Sequence, residues 1–261
     1  YDPLIQGLSG LATVQAGADE LRPQLVRTIL PDKLTGVTAA QAITAALFAR
    51  ERTGESQHVR LSMLDAIIAF LWSSDMGSQT FVHSEVPQQE AASLQDLIYE
   101  TTTGYITIAV QSDREWQALI RAVDRPEWAE DPRFLTARLR QENIDARLEL
   151  IQSVIKTDTA EHWLARLEAE QVPCAPVLTR TQVLDHPQVL ANDLLSHYDH
   201  PQAGRLRQAR APSRFSAAPE QHWQGAPRLG EQTGELLAEC GYSAEEIQSM
   251  CDSGIAAVPA K

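Results

Sequence analysis

Between Leu34 and Arg50 the chain is dense in alanine, with Val37, Ala40, Ile43 and Leu47 at helical spacing, and no other stretch limits the fold as strongly. The spacing predicts a helix with a small-residue face able to pack closely on a neighbouring layer. Thr53-Gly54-Glu55-Ser56 ends it, and Gln57 to Leu61 alternates as a half-buried strand does. Met63 to Trp72 is apolar again, with Ile67, Ile68, Leu71 and Trp72, and predicts a buried helix. The opening third therefore reads helix, strand, helix.

Residues 78–95 are polar and hold no sustained period, so a linker is expected there. Beyond it, Leu97-Ile98-Tyr99 and Tyr105 to Val110 flank a Thr-Thr-Thr-Gly turn, a hairpin pattern in which Gly104 supplies the turn. Ser112 with Glu115 is a capping box ahead of Trp116, Leu119, Ile120 and Val123. Asp158 with Glu161 is its Asp-headed analogue ahead of Trp163, Leu164 and Leu167. Ile144, Leu148, Ile151 and Ile155 mark a helix between them. Trp116, Trp128 and Trp163 fall where apolar helix faces or turns would use them, so they read as core. Pro173 to Val177 reads as an extended connector, because two prolines remove donors and hold their predecessors extended. Arg205 to Arg214 reads as a solvated strand or loop. A helix over Gly234 to Cys240 and another headed by Ser243 with Glu246 close the chain.

Composition removes several classes of function. The chain has 261 residues, 43% of them hydrophobic, enough for a real core, but 22 basic side chains against 35 acidic ones give a net charge of −13. A phosphate-backbone binder clusters Lys and Arg, so nucleic acid is a poor partner. Ala66 to Trp72, among the longest apolar runs, falls far short of the ~20 residues that span a bilayer. Cys174, Cys240 and Cys251 form no Cys-x-x-Cys pair and fit reduced thiols in a cytoplasmic protein. Phosphate-loop, dinucleotide, His-Glu-x-x-His and Gly-x-Ser-x-Gly signatures are missing. Ser153 and Lys156 match Ser-x-x-Lys, but inside an amphipathic helix that packing already explains. His197 and His200 precede Pro201, where a loop is expected, so a metal site has little support.

One acid stands out. Asp32, in Leu30-Pro31-Asp32-Lys33, lies at the start of the alanine-rich helix, and Asp is among the best N-cap residues. Spacing alone favours the cap. Free N–H groups and the positive helix end would equally hold a carboxylate ionised for nucleophilic attack and stabilise a developing oxyanion. Residue chemistry leaves both readings open.

The run Tyr1-Asp2-Pro3-Leu4-Ile5-Gln6-Gly7-Leu8-Ser9-Gly10, then Asp32-Lys33 and the alanine-rich helix, then Arg52-Thr53-Gly54-Glu55-Ser56-Gln57-His58-Val59, resembles the class III CoA-transferase family, also called the CaiB/BaiF or formyl-CoA transferase family. The likeness continues through Tyr105 to Val110, Asp131-Pro132-Arg133-Phe134, Val172 to Pro176, His186-Pro187-Gln188-Val189 and Leu229 to Thr233. It implies an α/β chain with a partial Rossmann-like large domain and a smaller α/β domain, two chains interlacing as a homodimer. Residues 1–80 would belong to the large domain, 81–96 to a linker, 97–200 to the small domain, and 201–261 to a segment returning to the large domain. The opening Tyr-Asp-Pro reads like the middle of a loop. The chain is therefore read as a fragment lacking the front of the large domain, with an exposed sheet edge and poor solubility alone.

By the same resemblance Asp32 is the nucleophile, carrying coenzyme A from an acyl-CoA to a carboxylic acid through a covalent aspartyl-CoA intermediate. CoA and acyl-CoA are then substrates, with no tightly bound cofactor and no metal. Tyr1 and Asp2 match site-lining positions for substrate or CoA. Related racemases move the α-proton and place a histidine where this chain has Tyr1. A phenol, which holds its proton up to pH ~10, is a poor base there. An acyl-CoA racemase and a non-catalytic CoA-ester-binding fragment are the alternatives. Residues 77–96, with one glycine, depart from the glycine-rich loop that closes the site in some members.

Overall fold

The leading helices form where small and apolar residues recur and proline is confined to the first turn. A computed structural model describes residues 1–76, 79–80, 82, 96–217 and 225–259. The expected linker over 81–96, and the glycine-poor stretch with it, lie almost wholly outside the described residues. The chain divides into two units, Tyr1–Pro176 and Val177–Lys261.

The first unit opens with α1 (Asp2–Leu8) and α2 (Leu11–Ala16), then α3 (Leu30–Thr53) and α4 (Met63–Trp72). Gly10, at φ 85°, turns the chain between α1 and α2 in a conformation that disfavours any side chain. α3 is the alanine-rich helix, closed by Gly54 in the left-handed region as expected. Its half-buried stripe runs through Thr38, Ala39, Ala42, Ala46 and Ala49, whereas Val37, Ala40, Ile43 and Leu47 are exposed. The close-packing face is thus one of small residues, offset from the apolar spacing read in the sequence. α4 packs against α3, and Ile67 and Leu71 join Leu11 in a small core. Residues 57–61 form no strand: their alternation finds no partner among the described residues, and alternation without a ladder leaves the backbone irregular.

Beyond residue 96, β1 (Ile98–Thr101) and β2 (Gly104–Ile108) make the expected hairpin, with Thr101 opposite Gly104. α5 (Asp113–Val123), α6 (Ala137–Glu142), α7 (Ile144–Ile155) and α8 (Ala160–Ala169) follow, and β3 (Cys174–Pro176) pairs antiparallel with β2. The expected connector at 173–177 is therefore an edge strand. Its prolines lie at the edge of the β1-β2-β3 order, where a missing donor costs little. Ser112 and Glu115 form a reciprocal capping box on α5. The cap of α8 is Thr159 rather than Asp158: the threonine hydroxyl accepts the His162 N–H at 3.2 Å, while Asp158 accepts the N–H of Thr159 at 2.7 Å. Trp116, Leu119, Phe134, Ile151, Ile155, Trp163 and Leu167 fill one continuous core, as the tryptophan positions predict.

The second unit contains α9 (Pro187–Ala191), the hairpin β4 (Leu195–His200) and β5 (Gly204–Ala209), α10 (Thr233–Glu239) and α11 (Ala244–Asp252). His197 and His200 therefore sit on a strand, not in a loop. Three residues apart, they face opposite sides of it. Ser243 and Glu246 make the second expected capping box. No helix among the described residues is long and apolar enough to cross a membrane.

Candidate active site

The first turn of α3 is held by the side chain of an aspartate thirty positions upstream. Pro31 at the second helical position has a fixed φ and no N–H to satisfy, which suits a helix start. Ile29 stands at the N-cap and provides no side-chain bond, so Asp32 lies inside the first turn and is not the cap read from its spacing. The capping is done by Asp2, whose Oδ2 accepts the backbone N–H of Asp32 at 3.3 Å. Leu30 donates to Thr28 O at 2.8 Å, and Lys33 closes the first helical bond onto Ile29 O at 3.1 Å. None of the N–H groups of residues 30, 32 and 33 is free for an oxyanion, so the expectation of open donors at this helix end does not hold. What remains is the positive end of the helix, which favours a carboxylate in the first turn.

Asp2 is only 5% exposed and spends both oxygens inside the chain. Its Oδ1 accepts Gln6 Nε2 at 2.7 Å, an i, i+4 pair along α1. Gln6, 2% exposed, accepts the Val26 N–H on its Oε1 at 2.9 Å, and its amide nitrogen approaches the carbonyls of Val26 and Thr28 at 3.3 Å each. Lys33 Nζ donates to Thr28 Oγ1 at 2.8 Å. Two chain segments thus brace the start of α3. Tyr1, by contrast, is 97% exposed beside them.

The carboxylate of Asp32 itself is exposed and makes no hydrogen bond or ion pair among the described residues. A carboxylate at a helix start, free of internal partners, is available to attack an electrophile. Thr35, one turn further on, keeps its hydroxyl buried and unpartnered, whereas Thr38, Thr44 and Thr53 bond back to carbonyls four residues earlier. The sequence reading missed Gln6. Its spacing from Asp2 was the available signal, since glutamine and aspartate four apart on a helix are natural partners.

The other segments singled out in the sequence serve the fold. Asp131 accepts Arg133 through its backbone N–H at 2.9 Å and its guanidinium at 2.7 and 3.0 Å, which holds the carboxyl below its usual range. Arg133 then lies over Phe134. His186 caps α9 through Nδ1, 3.3 Å from the Gln188 N–H. Gly230 has φ 78°, and a Cβ there would sit 2.6 Å from Ala257 O. Burial pushes the Cys174 thiol up, which disfavours a reactive thiolate.

In the second unit a cleft of about 410 Å³ is lined by His200, Gly225, Arg228 and Glu231 among others. His200 accepts the Gln202 and Ala203 N–H groups on Nδ1, each at 3.1 Å, so the ring donates from Nε2 to Ala226 O at 3.1 Å. Both ring nitrogens are committed. Among the described residues no group of three or more His, Cys, Asp and Glu is placed to hold a metal ion.

Comparison with known proteins connects this geometry to a family. A family model described as CoA-transferase family III matches residues 1–233. Formyl-CoA:oxalate CoA-transferase of Streptomyces coelicolor is 27% identical over 275 residues, covering 98% of this chain and 66% of that protein. Acetyl-CoA:oxalate CoA-transferase of Acetobacter aceti is 28% identical over 246 residues, covering 92% of this chain and 61% of its own length. The crystal structure of a CaiB/BaiF family protein from Brucella suis aligns at a TM-score of 0.74 with 27% identity, over 92% of this chain and 62% of that one. The chain thus spans a little under two thirds of the length of the relatives it matches.

Proposed function

The chain belongs to CoA-transferase family III, and from that premise we propose that it is the Asp32-bearing part of an enzyme that moves coenzyme A from an acyl-CoA to a carboxylic acid. One observation carries the assignment to Asp32. The capping role that would explain an aspartate here is filled by Asp2, which leaves Asp32 exposed and without a partner among the described residues at a positive helix end.

The chemistry follows from a carboxylate in that position. Asp32 adds to the thioester carbonyl and expels the CoA thiolate, forming a mixed anhydride. The thiolate then attacks the aspartyl carbonyl of that anhydride. The donor acid leaves as its carboxylate, and Asp32 becomes an aspartyl-CoA thioester. The acceptor carboxylate repeats the pair of steps in reverse: it displaces the thiolate to form a second anhydride, and the thiolate attacks the acceptor acyl carbon, which releases acceptor-CoA and restores Asp32. Splitting the exchange into covalent steps is what makes a weak nucleophile sufficient. No metal or redox group takes part. Tyr1 and Asp2 line the site in this scheme, Tyr1 from its exposed side and Asp2 as the carboxylate beneath the first turn. A second copy of the chain is the proposed partner, and the exposed Val37, Ile43, Leu47 and Phe48 of α3 favour a covering surface.

The relatives named for formyl-CoA, acetyl-CoA and oxalate make a short acyl-CoA and a small dicarboxylic acid the first pair to try. The test is to incubate the full-length protein with formyl-CoA, acetyl-CoA or succinyl-CoA, quench with hydroxylamine and map the adduct by peptide mass spectrometry. A hydroxamate on Asp32 that needs acyl-CoA, together with exchange abolished in Asp32→Asn, is the expected result. An unmodified Asp32 in a folded, CoA-binding protein across all three donors would overturn it.

A further inference from the structure

We infer that Gln6 is a positioning residue for Asp32, a role that rests on the reading of Asp32 as nucleophile. Gln6 touches neither Asp32 nor solvent. Its amide is shared between two groups that fix the first turn of α3 from opposite directions: the carboxylate of Asp2, at 2.7 Å, and the backbone of Val26, with its N–H at 2.9 Å. Asp2 in turn holds the Asp32 N–H, while the segment held at Val26 runs through Thr28 into the helix start, where Thr28 O accepts the Leu30 N–H. An amide is the group the place requires, because it donates to a carboxylate and accepts from an N–H at once. Glutamate would set two carboxylates against each other, and an apolar residue would leave Asp2 Oδ1 and the Val26 N–H without these partners. Loosening this brace displaces the Asp32 backbone, and with it the carboxylate. A displacement of ~1 Å at a reacting group can cost ~100-fold in rate.

The experiment compares Gln6→Glu with the double variant Asp2→Asn, Gln6→Glu in the full-length protein, using an acyl-CoA and acceptor pair that labels Asp32 in the wild type. The double variant reverses the polarity of the 2–6 contact alone: the new amide at position 2 donates to the new carboxylate at position 6 and still offers an oxygen to the Asp32 N–H, while that carboxylate keeps facing the carbonyls of Val26 and Thr28. For Gln6→Glu we expect kcat, per folded molecule, to fall by roughly 10- to 100-fold with KM nearly unchanged, and the Asp32 adduct to form correspondingly more slowly. The double variant is expected to recover part of that loss, about three- to tenfold, which loss of general stability would not produce. Gln6→Asn, one methylene shorter, gives a smaller loss of the same sign and serves if Gln6→Glu does not fold. Native kcat in the Gln6 variants, or no recovery in the double variant, would overturn the role of Gln6 while leaving the nucleophile intact. Absence of any Asp32 adduct in the wild type would instead remove the reading beneath it.

Discussion

The residues before 77 and those from 98 to 176 hold their shape by different means. In the later region, side chains from β1, β2, α5, α7 and α8 converge on one core, with Trp116 stacked on Trp128 and Phe134 edge-on to it at centroid distances of 6.1 and 5.6 Å. In the earlier region only Leu11, Ile67 and Leu71 form a comparable cluster, and large apolar side chains on α3 and α4 remain exposed. Its order around α3 comes from a short chain of buried polar groups, Asp2, Gln6 and the Val26 backbone. Directional bonds fix where an atom is, whereas apolar burial fixes mainly how much surface is hidden. The candidate nucleophile lies in the region governed by direction.

The largest test of that contrast is a pair of truncations. Trp116→Ala removes a fully buried ring and should cost roughly 3–5 kcal/mol of stability, whereas Gln41→Ala at an exposed position of α3 should stay within about 0.5 kcal/mol. Urea unfolding followed by circular dichroism measures both. Equal losses would mean that the two regions are not organised differently. A step smaller is Arg140→Met. Arg140 is 2% exposed, pairs with Asp113, donates to Phe134 O at 3.0 Å and lies over the Trp116 ring. Removing it strands a buried carbonyl and thins the ring contact, so a loss of about 2–3 kcal/mol is expected by the same assay. Asp113→Asn should cost less, because the amide oxygen still accepts from Arg140 and the rest of the side chain, 77% exposed, stays in water.

The two aspartates of the earlier region sharpen the comparison further. Asp2→Ala should cost about 1–2 kcal/mol, the usual worth of a helix cap, since it frees the Asp32 N–H and one arm of Gln6. Asp32→Ala should change stability by less than about 1 kcal/mol, because its carboxylate makes no hydrogen bond or ion pair among the described residues. Thermal unfolding of the two variants side by side decides it. A larger loss from Asp32→Ala would return that residue to the cap.

That reversal of roles also marks where sequence reading stops. Capping boxes at Ser112 and Ser243, the hairpin around Gly104 and the tryptophan core were legible because each is written within a few residues or one helical period. The cap of α3 was not, because its acceptor comes from Asp2 and no local pattern joins positions 2 and 32. The alternation at 57–61 promised a strand, but a strand exists only with a partner, which alternation does not specify. The cap of α8 moved by one residue because Asp158 and Thr159 are both good caps and the backbone chose the threonine hydroxyl. Asp32 was found as a candidate by its place at the helix start. That its carboxylate has no partner among the described residues followed only from the structure.

The smallest effect is one of pH, and it belongs to the later region. Glu115 is held below the usual glutamate range, chiefly by the backbone N–H of Ser112, then by that of Gln111 and by the Ser112 hydroxyl. A carboxylate whose folded value is depressed stabilises the fold above its unfolded value, and the contribution is lost as pH falls through the folded one. The Tm gap between the wild type and Glu115→Gln should therefore be constant from neutral pH down to the ordinary carboxylate range and shrink below it. Because Glu115 is exposed, the gap should also be small throughout. A gap that stayed constant into the acid range would mean that the ionised Glu115 does not hold the start of α5, and that the later region owes its order to its core alone.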